Sequence, residues 1–202
     1  PYLVAATSCL TGKNKAAFYI VDSTPLPICA NAHRYNVKID NGLGKSGKNL
    51  NGWYFGFKLH LIIDQNMEVV GLSVTDAATK DYNALNGAFV KELFGFLIGD
   101  KGYICKRVAS NLAQDGLVLV TKLRKNMKKL PVTKDVLHML LRREIIENIF
   151  SRQKLQFNMV TQFARSLDGF FVQVFGAILT FLIDGKLRKR FKIQDILDKS
   201  IS

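Results

Sequence analysis

The chain has 202 residues, 48% of them hydrophobic, with 29 Lys and Arg against 16 Asp and Glu, a formal charge of +13. That is a domain of ordinary size with enough apolar residues to bury its own core, which excludes a disordered basic tail and a miniprotein dependent on disulfides. Three cysteines, Cys9, Cys29 and Cys105, are odd in number and widely spaced, so a reducing cytoplasm is expected. Cys29-x3-His33 has no second pair at zinc spacing.

Residues 1–17 read as an irregular lead-in. Phe18-Tyr19-Ile20-Val21 is an apolar, β-prone run, expected to stop in a turn at Asp22-Ser23-Thr24-Pro25. Residues 30–52 are rich in Gly, Asn and Lys and read as a loop. Gly44-Lys45-Ser46 is not a phosphate-binding loop, because the full pattern needs Gly where Ile39 stands. Residues 53–63 alternate as a second strand, Asp64-Gln65-Asn66 turns, and residues 69–74 return as a third. Trp53, Tyr54 and Phe55 offer rings on which a displaced base could stack, with core packing as the expected reading, and a half-buried structural role is expected for His60.

The spacing of Leu85, Phe89, Val90 and Leu93 predicts a helix over 82–94. A strand at 96–99 ends at Asp100, a short helix at 106–114 closes at Gly116, and 117–121 is a fifth strand. A basic connector over 122–134 leads to a long helix over about 135–155. A very apolar helix over 170–183 follows, and residues 186–202 form a basic tail. The apolar helix contains Gln173 and spans about 14 residues, against the roughly 20 needed to cross a bilayer. No membrane partner is expected.

The charge is uneven. Residues 1–100 hold 9 basic and 8 acidic side chains, and residues 101–202 hold 20 and 8. A polyanion is the expected partner, met by the second half.

Asp22 and Asp100 each follow an apolar strand. Either alone reads as a turn residue. On the long helix, Arg143, Glu147 and Lys154 fall within roughly 40° of one another at ~100° per residue. By itself that is a solvated face with an Arg143–Glu147 pair.

Four blocks occur in order: Val21-Asp22-Ser23-Thr24-Pro25, Gly56-Phe57-Lys58-Leu59-His60, Gly99-Asp100-Lys101-Gly102-Tyr103 and Arg143-x3-Glu147-x6-Lys154. Together they resemble the catalytic domain of DDE transposases encoded by bacterial insertion sequences. The resemblance runs from about Phe18 to Leu182. It implies an RNase H-like α/β fold, a mixed five-stranded sheet flanked by helices, over residues 18–185. It implies an acidic triad of Asp22, Asp100 and Glu147 that is both catalytic and metal-binding. Arg143 and Lys154 match the basic members of the family's Y-R-E-K signature, while its tyrosine position falls on Leu140.

The residue types suit the chemistry. Phosphodiester cleavage needs an activated nucleophile and a stabilised leaving oxygen, which two divalent ions about 4 Å apart can serve. Mg2+, with Mn2+ as a substitute, prefers carboxylate oxygen. DNA backbone contacts are expected at Arg143 and Lys154 and along Lys122, Arg124, Lys125, Lys128 and Lys129.

The resemblance implies hydrolysis at transposon terminal inverted repeats and strand transfer into target DNA, in a synaptic homodimer. The family usually carries a DNA-binding region ahead of its first catalytic strand. With 17 residues before Phe18, end recognition is expected to be missing here through N-terminal truncation. Three rivals stand beside this: an RNase H-like nuclease without strand transfer, a non-enzymatic DNA-binding protein descended from a transposase, and a basic membrane-surface protein.

Overall fold

The structure is a computed structural model and describes residue 16 and residues 18–36, 42–49, 51–121, 142–159 and 164–183. Its strands are β1 (Phe18–Ala30), β2 (Lys45–Asn49), β3 (Gly52–Asp64), β4 (Val69–Asp76), β5 (Gly95–Gly99) and β6 (Leu117–Thr121). Its helices are α1 (Lys106–Gln114), α2 (Glu144–Leu155) and α3 (Leu167–Ile183). The strands form one mixed sheet in the order β2-β3-β1-β5-β6, with β4 also paired to β3. β3 runs antiparallel to β1, β2 and β4, whereas β1, β5 and β6 run parallel.

Strand alternation divides the core in two. One face presents Ile20, Leu26, Leu59, Leu61, Ile63 and Ile98, covered by Ile145, Ile146, Ile149 and Phe150 of α2 and by Phe170, Val174, Ile178 and Phe181 of α3. The other presents Tyr19, Val21, Ile62, Leu97 and Leu117, covered by Leu85, Phe89, Tyr103 and, from α1, Val108 and Leu112. Each such side chain contributes about 1.5–3 kcal/mol of burial, so the apolar period alone decides which face each strand residue takes.

The expected β3–β4 hairpin, β5, α1 and β6 are all present. Four expectations change. First, β1 does not stop at Asp22 but continues to Ala30 through Pro25 and Pro27. Pairing with β5 covers only Phe18–Ile20. The prolines therefore lie where β3 is the one strand paired to β1 among the described residues, and a missing N–H is tolerated on that open edge.

Second, the expected loop at 30–52 contains a 3-10 segment, Asn31–Asn36, and strand β2, the sixth of the sheet. β2 is polar, so it carries no apolar period to read. Gly47 lets it lie close, since a Cβ there would meet the Ala77 carbonyl oxygen at 2.7 Å. Third, residues 82–94 do not form an α-helix. Two 3-10 turns, Asp81–Ala84 and Gly87–Phe89, take its place. Gly87 at φ 44° and Glu92 at φ 67° are incompatible with a continuous helix. Leu85 and Phe89 are buried all the same. Fourth, Trp53 is 60% exposed, while Tyr54 is buried.

α3 starts at Leu167, three residues before its predicted start. Among the described residues, no helix is long and apolar enough to cross a membrane. The connector over 122–134, the first part of the long helix, Leu140 and the tail at 186–202 lie outside the described residues.

Candidate active site

The parallel register of β1 and β5 pairs Phe18 with Phe96, Tyr19 with Leu97 and Ile20 with Ile98. Asp22 and Asp100 each stand two residues beyond the last pair. They are therefore level with each other and share the face of Ile20 and Ile98. α2 packs on that face through Ile145, Ile146, Ile149 and Phe150, and the same helix turn carries Arg143 and Glu147 to the two aspartates. Arg143 Nη1 donates to Asp100 Oδ1 at 2.8 Å, and Nη2 donates to Glu147 Oε1 at 2.5 Å.

Burial pushes the Asp22 carboxyl up to about 6. The Ser23 N–H, donating to Asp22 Oδ1 at 2.8 Å, and the nearby Arg143 pull it back, and Glu147 and Asp100 add repulsion. Burial also disfavours the Arg143 charge, but Asp100, Asp22 and Glu147 outweigh it and hold its pKa above the ordinary value. All three acids thus act on one guanidinium. The expected Arg143–Glu147 pair is present, with Asp100 as a second acceptor.

Lys154 lies two helical turns beyond Glu147, half-buried, with its pKa lowered by burial. It makes no ion pair with the three acids. Lys122, Arg124, Lys125, Lys128 and Lys129 lie outside the described residues.

Among the described residues, no three His, Cys, Asp or Glu side chains are arranged to hold a metal ion. Arg143 stands between Asp100 and Glu147. The donor chemistry, carboxylate oxygen without His or Cys, fits a hard divalent cation. Such an ion would take the place of the guanidinium.

The opposite face of the sheet holds a polar network that residue patterns did not single out. Asp81 Oδ1 accepts from Ser23 Oγ at 3.3 Å and from Lys58 Nζ at 2.8 Å. Lys58 Nζ also donates to the Thr79 carbonyl. A Cβ on Gly102 would lie 2.6 Å from Asp81 Oδ2, so only glycine lets that carboxylate press against the turn after Asp100. His60 is fully buried, with Nδ1 3.3 Å from the Tyr103 hydroxyl and Nε2 3.0 Å from Thr75 Oγ1. Burial lowers its pKa to about 4, with Asp81 partly opposing.

His60 is thus structural, as expected, and more deeply buried than expected. Ser23, Lys58, His60, Gly102 and Tyr103 all belong to the blocks quoted above. Asp81 does not, and the sequence offers no signal for it beyond being one acid among few.

A family model described as a transposase DDE domain matches residues 12–166. No curated protein matches the chain in sequence. Among solved structures, the chain is similar to the piggyBac transposase in its synaptic complex with hairpin DNA, at 9% identity and a TM-score of 0.54. The match covers 88% of this chain and 51% of that one, so the chain spans about half the length of that transposase. At such identity the likeness shows the fold alone, and the fold is RNase H-like. With the family model covering most of its length, the chain belongs to the transposase DDE domain family.

Proposed function

We propose that residues 18–185 form the catalytic domain of a DDE transposase that hydrolyses a DNA phosphodiester at transposon ends and transfers the freed 3′-hydroxyl into target DNA. One observation supports this most: Asp22, two residues past the β1–β5 pairing, and Asp100, at the end of β5, meet at Arg143, which also binds Glu147 of α2. In this reading Asp22, Asp100 and Glu147 would hold two Mg2+ ions, or Mn2+ in their place, which would supply nucleophile activation and charge stabilisation at the leaving oxygen.

The chain's own residues orient the reaction. The Ser23 N–H fixes the Asp22 carboxylate. Arg143, released from the acids, is placed to meet a phosphate oxygen, and Lys154 contacts the backbone further along α2. Lys122, Arg124, Lys125, Lys128 and Lys129 hold the DNA beside the site. Two copies of the chain bridge the two ends in a synaptic dimer, acting on DNA in the cytoplasm.

The test is nicking and joining of a duplex carrying candidate ends, with Mg2+, by wild type and by Asp22→Asn, Asp100→Asn and Glu147→Gln. Each variant is expected to fall below about 1% of the wild-type rate. Variants that cut as fast as wild type remove the triad assignment. Cutting without joining assigns a nuclease instead of a transposase.

A further inference from the structure

The sequence places one acid, Asp40, between Asp22 and Asp64, against five Lys and Arg. Three of those five gather on the ribbon made by β2, the start of β3 and the 3-10 segment Asn31–Asn36. Lys48 pairs across the ladder with Trp53, its Nζ 5.8 Å from the ring centroid. The Arg34 guanidinium lies 4.5 Å from the Tyr35 ring centroid, and its Nη1 donates to Ser46 Oγ at 3.4 Å. Lys45, at the other end of β2, pairs with Asp76 at 3.3 Å, with its side chain 61% exposed. Trp53 is 60% exposed and Tyr35 80% exposed.

Alternation along β3 fixes which way this ribbon faces. Trp53 and Phe55 share the parity of Phe57, Leu59 and Leu61, the residues of the α2-covered face. Tyr54 has the parity of Lys58 and His60, and like them it feels the charge of Asp81. Trp53 and Lys48 therefore lie on the same face of the sheet as the acids. Asp22 pairs with Leu61, eight residues from Trp53. At ~3.4 Å per residue the ribbon reaches about 27 Å from the acids, roughly the length of eight stacked nucleotides.

We propose that this ribbon is a docking surface for single-stranded DNA running away from the acidic site. Exposed aromatic faces beside cations are what an unpaired strand recognises: its bases stack on Trp53 and Tyr35, and its phosphates meet Arg34 and Lys48. A duplex keeps its base faces stacked on each other and leaves these rings without a partner. The inference extends the proposed DNA chemistry but uses none of the acids.

Trp53 is the single tryptophan of the chain, so its emission reports on this surface alone. The full chain is titrated, without divalent ions, with a 12-residue oligothymidylate and with a blunt duplex of equal length. Oligothymidylate is expected to quench the emission saturably and to bind more tightly than the duplex. Trp53→Ala, followed by anisotropy of labelled oligothymidylate, is expected to weaken binding about five- to a hundredfold, and Trp53→Phe to restore part of it.

Lys48→Gln is expected to reduce the salt slope by about 0.7. Unchanged thermal melting of each variant shows that the fold is intact. Emission unchanged at saturation, or duplex bound as tightly as oligothymidylate, overturns the proposal. The assay reads no cleavage, so its failure leaves the triad untouched, and a failed triad leaves this surface untouched.

Discussion

Half-buried Asp22 and fully buried His60 lie on opposite faces of the sheet, and they bend the stability curve in opposite senses. Asp22 keeps its proton in the folded state up to about pH 6, whereas in the unfolded chain it loses it near 3.8. The folded protein binds more protons across that window, so this contribution falls as pH rises through it. His60 stays neutral in the folded state down to about pH 4, while the unfolded chain protonates it from 6.5 downward. Its contribution is complete above 6.5 and is lost as pH falls toward 4.

At ~1.4 kcal/mol per pKa unit, each amounts to about 3 kcal/mol, so the two nearly offset in the wild type. In metal-free protein, Asp22→Asn is expected to leave stability unchanged near pH 4 and to raise it by about 2–3 kcal/mol at pH 7. Urea denaturation at both pH values measures this. An equal effect at both removes the burial of Asp22 as its cause.

At the scale of elements, the junction of β1 with β3 has the tightest backbone approach at any glycine among the described residues. β1 carries an extra residue between Pro27 and Cys29, opposite Gly56 and Phe55. Gly56 has φ 151°, and a Cβ on it would lie 2.4 Å from the Leu26 carbonyl oxygen and 2.8 Å from the Ile28 nitrogen. Gly52 also has positive φ, but open space around it. Gly56→Ala is expected to destabilise by more than about 3 kcal/mol and Gly52→Ala by only about 1 kcal/mol, read as midpoints of thermal or urea unfolding. Equal losses would mean that the bulge yields to the methyl group.

Where an element carried its own apolar period, as in β3, β4, β5, α1 and β6, its type and bounds could be read directly from the residues. Where the decisive contact was distant they could not. β2 owes its strand form to the β3 edge, and Pro25 and Pro27 stay in β1 because β5 ends early. At 82–94 the apolar positions were right, yet Gly87 and Glu92 adopt backbone angles that no periodicity announces. The same division holds for the site. The blocks around Asp22, Asp100 and Glu147 singled these acids out as a candidate site, and the structure brings all three to one guanidinium, Arg143. Asp81 was not singled out, because its partners Ser23, Lys58 and Gly102 come from three separate strands and turns.

For the whole molecule, the positive charge and the three candidate acids are distributed differently along the chain. Two of the three acids lie in the first 100 residues, where basic and acidic side chains nearly balance, and most of the +13 lies beyond them. If the connector supplies phosphate contacts, Lys122→Gln with Lys125→Gln is expected to reduce the slope of log affinity against log salt by about 2 for duplex DNA. Filter binding or anisotropy over a salt series measures it, and an unchanged slope removes the connector from the interface.

β3 is flanked by β1 from Tyr54 to Asp64, while β2 and β4 divide its other edge between them. The segment from Ala30 to Gly52 is therefore an excursion whose described strand, β2, joins the sheet through β3 alone. Residues added to or removed from this excursion lengthen or shorten its reach without moving the pairing of β1 with β5, the register that sets Asp22 beside Asp100. The geometry separates an arm whose length is free to vary from a pair of acids whose spacing is not.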